Sequence, residues 1–353
     1  LRILAILCVR NEGAFLLDWL AHHRAAGVAH VLAYSNDCED GTDAILDRLA
    51  ALGHVTHHRN AGPFDDRGVQ FTALNHAAGT PEVADADWIL PLDVDEFVNV
   101  HVGGRTLPDL IAALPEADAI TLTWRLFGNA GQARYADVPV PRRFTRAAPA
   151  VLDWPWRAAM FKTLYRADGT YRKPGVHRPR APVAGRVDAA RWFDGAGREL
   201  PEAFRTGRIF SPFGRDNYAL AQLNHYPLGD CESYVLKADR GRAVHASDRL
   251  GLDYWVERNF NTDTDESILA LAPHVDAIRA ELAADPDLAR LHTAAVAWRK
   301  TRFEALLMAE PFRALYGRLL MTPPSRPLPR AVAQQLLALG QRARDAADRP
   351  TFS

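Results

Sequence analysis

The sequence predicts an α/β fold: a mostly parallel central sheet with helices on both faces, an antiparallel extension and a helical C-terminal appendage. Three observations carry this. Over the first 120 residues, short runs rich in Ile, Leu and Val alternate with stretches of helical period. A stretch rich in Pro, Arg and aromatic residues follows, with isolated strand signals. From Ser233 onward the apolar residues recur mainly at helical spacing.

The elements follow in order. Residues 2–9 are an apolar run of the kind buried in parallel sheets. Asn11 offers a helix N-cap, and Ala14, Leu17, Leu20 and Ala21 line one face of a helix reaching Gly27. Residues 30–34 predict a second strand ending in the polar cluster SNDCEDGT. Residues 42–52 predict a helix carrying Ile45, Leu46 and Leu49, with Asp40-Gly41-Thr42 as its cap. Residues 55–58 are a short strand, 64–68 a loop, 69–78 a helix, and 88–92 a buried strand running into Asp93-Val94-Asp95-Glu96-Phe97. Strands are expected at 119–127 and 161–166, with long loops at 128–160 and 168–215. Helices are expected at 266–271, 275–282, 288–308 and 311–320. TPPSRPLPR (322–330) reads as a linker and 331–347 as an amphipathic helix.

Composition bounds the function. The chain has 353 residues, 48% hydrophobic and 24% charged, enough apolar material for a large core. That excludes disordered, collagen-like and disulfide-stapled chains. No run approaches the ~18 apolar residues of a membrane span, and LRILAILCV, interrupted by RNE, reads as a strand rather than a signal peptide. Cys8, Cys38 and Cys231 form no CxxC, so no zinc site or disulfide framework is implied and a cytoplasmic setting is expected. No nucleic-acid partner is expected, and oligomeric state is not legible. Residues 1–120 carry 7 basic and 18 acidic side chains, while residues 121–220 carry 18 and 8. An acidic third holding a cation and a basic third facing an anion is one reading; compositional bias toward Arg is the other.

Four D-x-D pairs occur: Asp85/Asp87, Asp93/Asp95, Asp263/Asp265 and Asp285/Asp287. Only Asp93/Asp95 directly follows a buried strand. Open α/β sheets bind ligands at the carboxyl ends of their strands. In an extended segment residues i and i+2 share a side, so these two carboxylates can face one site. Hard carboxylate oxygens suit Mg²⁺ or Mn²⁺, which take one or two carboxylates plus substrate phosphates. Arg10, Asn11 and Glu12 close the first strand, and Asn36 and Asp37 the second, at the same edge. The sequence has no Walker A or GxGxxG loop.

These residues resemble bacterial family 2-like glycosyltransferases. The segments are Val9-Arg10-Asn11-Glu12, FLLDWLAHHRAAGV, the 36–42 turn and WILPLDVDEF. The subgroup they most resemble is glycosyl transferase family 2_4, close to family 92. Trp124 to Gly128, Phe161-Lys162-Thr163, Gly175-Val176-His177, Leu223-Asn224-His225-Tyr226 and Glu232 to Gly241 agree. The resemblance implies a GT-A fold, an inverting mechanism, a divalent metal and a nucleotide-sugar donor, most often UDP-linked. It implies a 1–272 catalytic domain, with a nucleotide-binding half at 1–118 and an acceptor half at 119–272. A helical extension (273–321), the linker (322–330) and a terminal helix and tail (331–353) follow. Related sequences often carry Asp where Asn36 stands, contacting uracil; Asp37 could serve instead.

On this reading Asp93, Asp95 and His225 are the expected metal ligands. Lys237 and Arg240, three apart on a helix, could neutralise the diphosphate, and Gln70 and Asn75 could reach the donor. Glu232 is the preferred general base, with Asp230, Asp216 and Asp153 as alternatives. Trp124, Trp154, Trp156, Tyr171 and His177 are candidate acceptor contacts, since aromatic faces stack on sugars. The acceptor could be a glycan, a lipid-linked glycan or a protein. The helical tail could dock a partner or a membrane surface, but its mixed charges predict ordinary packing. Two alternatives stay open: a nucleotidyltransferase making a nucleotide sugar, and a non-catalytic binding module on the same fold.

Overall fold

The computed structural model describes residues 1–64, 68–241 and 250–347. The predicted 64–68 loop and the tail after 347 fall partly or wholly outside them. The chain opens with β1 (Ile3–Val9), α1 (Gly13–Ala25), β2 (His30–Ser35), α2 (Thr42–Ala51), β3 (Thr56–Arg59), α3 (Val69–Ala77), α4 (Pro81–Ala84) and β4 (Trp88–Leu92). These strands pair in parallel in the order β3-β2-β1-β4, with Val9 opposite Ser35 and Leu7 opposite Leu92. Arg10, Asn36 and Asp93 therefore stand side by side at one edge. Helix α1 stops where Gly27 takes φ +93°, a conformation that favours glycine.

After β4 come β5 (Glu96–Val100), α5 (Leu107–Ala113), β6 (Ala119–Leu126), α6 (Val140–Arg143), β7 (Arg146–Ala147) and β8 (Phe161–Arg166). Then follow β9 (Tyr171–Lys173), β10 (Arg180–Pro182), β11 (Trp192–Asp194), α7 (Ala203–Thr206) and β12 (Ala221–His225). The nine-stranded main sheet continues β4-β8-β6-β12-β5, with β11 also on β6. Strand β8 runs antiparallel to β4 and β6, which is the expected antiparallel extension. Two small pairs, β9 with β10 and β7 with the later β13 (Asp263–Thr264), complete the strands.

Chain length dictates how this sheet bends. Only residues 93–95 separate β4 from β5, yet β5 lies four places away in the strand order. Four flat inter-strand steps would span ~19 Å, and the linking residues reach at most ~14 Å. The β8-β6-β12-β5 half must therefore curl back toward β4. The indole Nε1 of Trp19 on α1 fastens the connection, donating to the carbonyls of Asp93 (3.2 Å) and Glu96 (3.1 Å).

The C-terminal part is helical as expected: α8 (Cys231–Arg240), α9 (Leu252–Val256), α10 (Ala272–Ala283), α11 (Pro286–Leu307), α12 (Glu310–Met321) and α13 (Arg330–Ala347). The expected helix at 266–271 is a 3-10 turn, Ser267–Leu271. Leu282, Leu288 and Ala295 from α10 and α11 join the core that holds α1 and the sheet face beneath it. Arg48 on α2 grips Asp285 at 2.5 Å, so this extension is stitched to the α/β unit. The 322–330 linker is also pinned, since Ser325 N–H donates to Asn259 O at 2.8 Å. Among the described residues no helix is long and apolar enough to cross a membrane.

Candidate active site

The Asp93–Glu96 segment is a tight turn in which Glu96 N–H donates to Asp93 O at 3.1 Å. The Glu96 carboxylate folds back and accepts from Asp93 N–H at 2.9 Å. Asp93 and Asp95 remain 34% and 25% exposed, so both can meet a ligand, whereas Glu96 is fully buried. The edge formed by β1, β2 and β4 thus presents two carboxylates supported by a third acid that substrate cannot reach.

Each exposed carboxylate has its own cation. Asp93 takes Lys162 Nζ at 2.8 Å and Gln70 Nε2 at 3.0 Å. Asp95 takes Lys237 Nζ at 2.8 Å, and His225 Nε2 stands 3.7 Å from its other oxygen. Burial alone would raise the Asp95 pKa, but Lys237 and His225 outweigh it and hold the carboxyl well below the usual range. Burial lowers the His225 pKa, and Asp95 opposes that shift. Burial pushes Glu96 up to about 8, with Lys162 opposing and Asp93 and Asp95 adding to the rise.

Helix α8 delivers the second cation. Asp230 caps it, accepting from Ser233 N–H at 2.7 Å. Lys237 and Arg240, one turn apart, both point to the strand ends. Arg240 donates to Arg10 O at 2.8 Å and pairs with Glu12. Trp124 forms the floor: its indole N–H donates to Glu96 at 2.6 Å, and its ring lies 4.2 Å from the His225 ring and 5.6 Å from the His177 ring. Burial and then Lys162 bring His177 down to about 4, and its Nδ1 donates to Phe161 O at 3.0 Å. A cavity of about 60 Å³ opens beside Asp95, with Glu12, Tyr135, Lys237 and Arg299 among its lining.

The sequence-derived candidates therefore divide. Asp93, Asp95, Gln70, His225, Lys237, Arg240, Glu12, Trp124 and His177 belong to one connected cluster. Arg10, Asn36 and Asp37 close β1 and β2 beside it, and Arg10 Nε is buried without an acceptor among the described residues. Asn11 is not the N-cap expected of it. Helix α1 starts after Glu12, and Asn11 instead accepts from Glu39 N–H at 2.7 Å, tying together the loops that follow β1 and β2. Asp40 does serve α2, accepting from Thr42 N–H at 2.9 Å.

Other candidates are occupied elsewhere. Glu232 accepts from Tyr135 N–H at 3.0 Å. It lies five residues from Lys237, about 140° round α8 from the lysine that meets Asp95. Asp230 is buried against Arg143 at 2.7 Å, Asp216 caps a turn through Tyr218 N–H, and Asp153 faces Arg330. Asn75 accepts from Arg180. Trp156 is edge-on to Phe210, and Trp154 is half-buried in the same loop. Tyr171 is buried against Trp192.

Two residues of the cluster had no role assigned from sequence: Lys162 and Glu96. Continuing the β4–β8 register from Ile89 opposite Tyr165 sets Lys162 opposite Leu92, at the very end of β4. A lysine inside FKTLYR was the available signal, since a charge in a central strand needs a partner.

A divalent cation would find a partial donor set. Asp95 and His225 face each other at 3.7 Å, too long for a hydrogen bond and wider than the ~3 Å between adjacent ligands on an octahedral Mg²⁺, so the two would have to close on an ion. Asp93 is turned to Lys162 and Gln70. Among the described residues no group of three or more His, Cys, Asp or Glu converges to hold a metal. Substrate oxygens would have to complete the shell.

Comparison with known proteins bears on this edge directly. Residues 6–142 match the model of glycosyltransferase family 92. A family 92 protein of Oryza sativa subsp. japonica is 24% identical over 144 residues, 39% of this chain and 23% of that protein. One from Ricinus communis is 31% identical over 99 residues, 27% of this chain and 16% of that protein. The aligned part of this chain thus spans under a quarter of the length of these curated relatives. Among solved structures, S. aureus TarS 1–349 in complex with UDP covers 85% of this chain and 92% of that one, at 16% identity and a TM-score of 0.32. The matched stretch contains β1, β2, β4 and the Asp93–Glu96 turn, and it is this part of the chain that is similar to glycosyltransferase family 92.

Proposed function

We propose that this chain transfers a sugar from a nucleotide-sugar donor, UDP-linked, to a glycan, glycolipid or protein acceptor, with inversion at the anomeric carbon. The observation that carries the reading is the Asp93–Asp95 turn at the carboxyl edge of parallel strands, with Lys237 and Arg240 brought to that edge by α8. The family 92 match across the same edge supports it.

The chemistry follows from the residues. Departure of a nucleoside diphosphate builds negative charge on its oxygens, and fixed cations there lower the barrier. Lys237 and Arg240 are held in place by Asp95 and Glu12, so little reorganisation accompanies the reaction. Arg10, Asn36 and Asp37 would surround the base and ribose. Mg²⁺ or Mn²⁺, held by Asp95 and His225 together with donor phosphates, would add further neutralisation of the leaving group. Trp124 and His177 give the acceptor side an aromatic floor.

Titration calorimetry of UDP, with and without Mn²⁺, is the primary test, followed by turnover of a panel of UDP-sugars. UDP binding that strengthens with Mn²⁺, with the strengthening lost in Asp95→Asn, is expected. Failure to bind UDP or any nucleotide sugar under either condition overturns the reading.

A further inference from the structure

Arg299 is a buried cation with no anionic partner among the described residues. It projects from α11 in the C-terminal helical extension and is 4% exposed. One guanidinium nitrogen donates to Ser233 Oγ at 2.8 Å, while Nε has no hydrogen-bond acceptor among the described residues. The guanidinium lies 4.6 Å from the Phe15 ring centre and 4.8 Å from that of Tyr135. No carboxylate pairs with it among the described residues. The other charged groups lining the cavity beside Asp95 are paired: Glu12 with Arg240, Asp95 with Lys237, and Arg143 with Asp230.

A buried charge is costly unless it is paired and hydrogen-bonded. The two ring faces offset part of that cost. They do not satisfy the planar N–H donors, whose fork matches a carboxylate. The cavity that Arg299 lines measures about 60 Å³. At ~30 Å³ per water, it has room for about two waters, or for a carboxylate with its adjoining carbon. Its wall also includes Asp95 and Lys237, so a sugar at the proposed site would sit at its mouth.

We propose that this cavity is a subsite for a carboxylate carried by one of the sugars at the site, with Arg299 as the residue that selects it. The inference rests on the glycosyl-transfer reading and deepens it: one substrate is an acidic sugar. The C-terminal helices then form part of the specificity pocket in addition to packing on the core.

Calorimetry on the full chain tests this with two matched donor pairs, UDP-glucose against UDP-glucuronate and UDP-galactose against UDP-galacturonate. If the carboxylate belongs to the donor, at least one uronate binds tenfold or more tighter than its neutral partner. That margin falls below twofold in Arg299→Met, which keeps an unbranched side chain between the two rings. If it belongs to the acceptor, the donor pairs bind alike. Free glucuronate or galacturonate, but not glucose or galactose, then binds the UDP-saturated protein, and Arg299→Met loses that binding. Should Arg299→Met fail to fold, the comparisons in the unaltered protein still decide. UDP binding with no carboxylate preference in either arm overturns the subsite alone; absence of UDP binding overturns the functional reading and the subsite together.

Discussion

Lys162 Nζ lies 2.8 Å from the Asp93 carboxylate, and the two are 69 residues apart in the chain. The lysine comes from β8, the reversed strand next to β4, and is 1% exposed. The first acid of the exposed pair is thus fixed from inside the sheet, while the second, Asp95, is fixed from α8. Whatever binds here meets carboxylates already oriented by separate elements.

Removing the inner cation should therefore disturb both fold and site. Lys162→Met leaves Asp93 and Glu96 crowded together without their shared cation. Losing one partner of a buried pair costs about 3–5 kcal/mol, and because Asp93 can still turn to water the lower end is expected. Chemical denaturation should show a loss of about 3 kcal/mol with an unchanged denaturant slope. A change under about 0.5 kcal/mol, the worth of a surface pair, would show that Lys162 does not organise the turn.

The helix beneath the turn makes stability depend on pH. Burial brings His22 down to about 4, although Val98 O accepts from its Nε2 at 2.7 Å. Burial also holds His23 well below its ordinary value, with His22 contributing. An unfolded histidine titrates near 6.5, so between pH 6.5 and 4 the unfolded chain binds more protons than the folded one. Stability is then full above about pH 6.5 and falls as the pH drops. His22 alone accounts for about 3 kcal/mol over that window. Urea midpoints measured from pH 7 to pH 4.5 should decline for the wild type and decline less for His22→Gln, whose amide can still donate to Val98 O. Parallel curves for the two proteins would contradict this.

Asp95 would link the proposed metal, Lys237 on α8 and the proposed diphosphate. Asp95→Asn keeps the size of the side chain but removes the charge that holds Lys237 and faces His225. The variant should fold, lose Mn²⁺-dependent strengthening of UDP binding, and lose turnover by a factor of a hundred or more. His225→Ala should weaken the Mn²⁺ effect while sparing metal-free UDP binding. Identical titrations of the wild type in Mn²⁺ and in EDTA would remove the metal from the proposal while leaving the cationic edge intact.

What the sequence reveals and conceals here has a physical basis. Strands β1 and β4 are buried on both faces, so their continuous apolar runs are visible, and the position of Asp93 and Asp95 follows from β4 alone. Strands β5 and β12 are also buried but carry polar residues. Gln222 donates to Asn224 Oδ1 at 2.7 Å and to Asp265 at 2.8 Å, and Asn99 donates to Ser267 at 2.8 Å. Polar residues satisfied by partners far along the chain look like loop residues, so AQLNH carries no strand signal. Lys162 was obscured in the same way, because its charge is explained only by an acid on another strand. The misplaced cap at Asn11 has a local cause: its side chain serves the 36–41 loop, a contact that helix-start rules do not anticipate.

Glu232 supplies the sharpest separation between sequence and geometry. A carboxylate in the first turn of a helix after Leu223-Asn224-His225-Tyr226 is a reasonable general base on sequence alone. In the structure its Oε2 is committed to Tyr135 N–H, and α8 turns it about 140° away from Lys237. A glutamine can accept the same hydrogen bond. Glu232→Gln should therefore keep donor affinity and keep kcat within about threefold, because a structural acceptor does not need charge. A general base does: its loss appears in kcat with substrate binding spared, typically by 10²–10⁴. Single-turnover rates for Glu232→Gln and Glu232→Ala separate the two roles. The Ala variant alone should be impaired if Glu232 holds the 133–135 loop, and both should be equally inactive if Glu232 takes the acceptor proton.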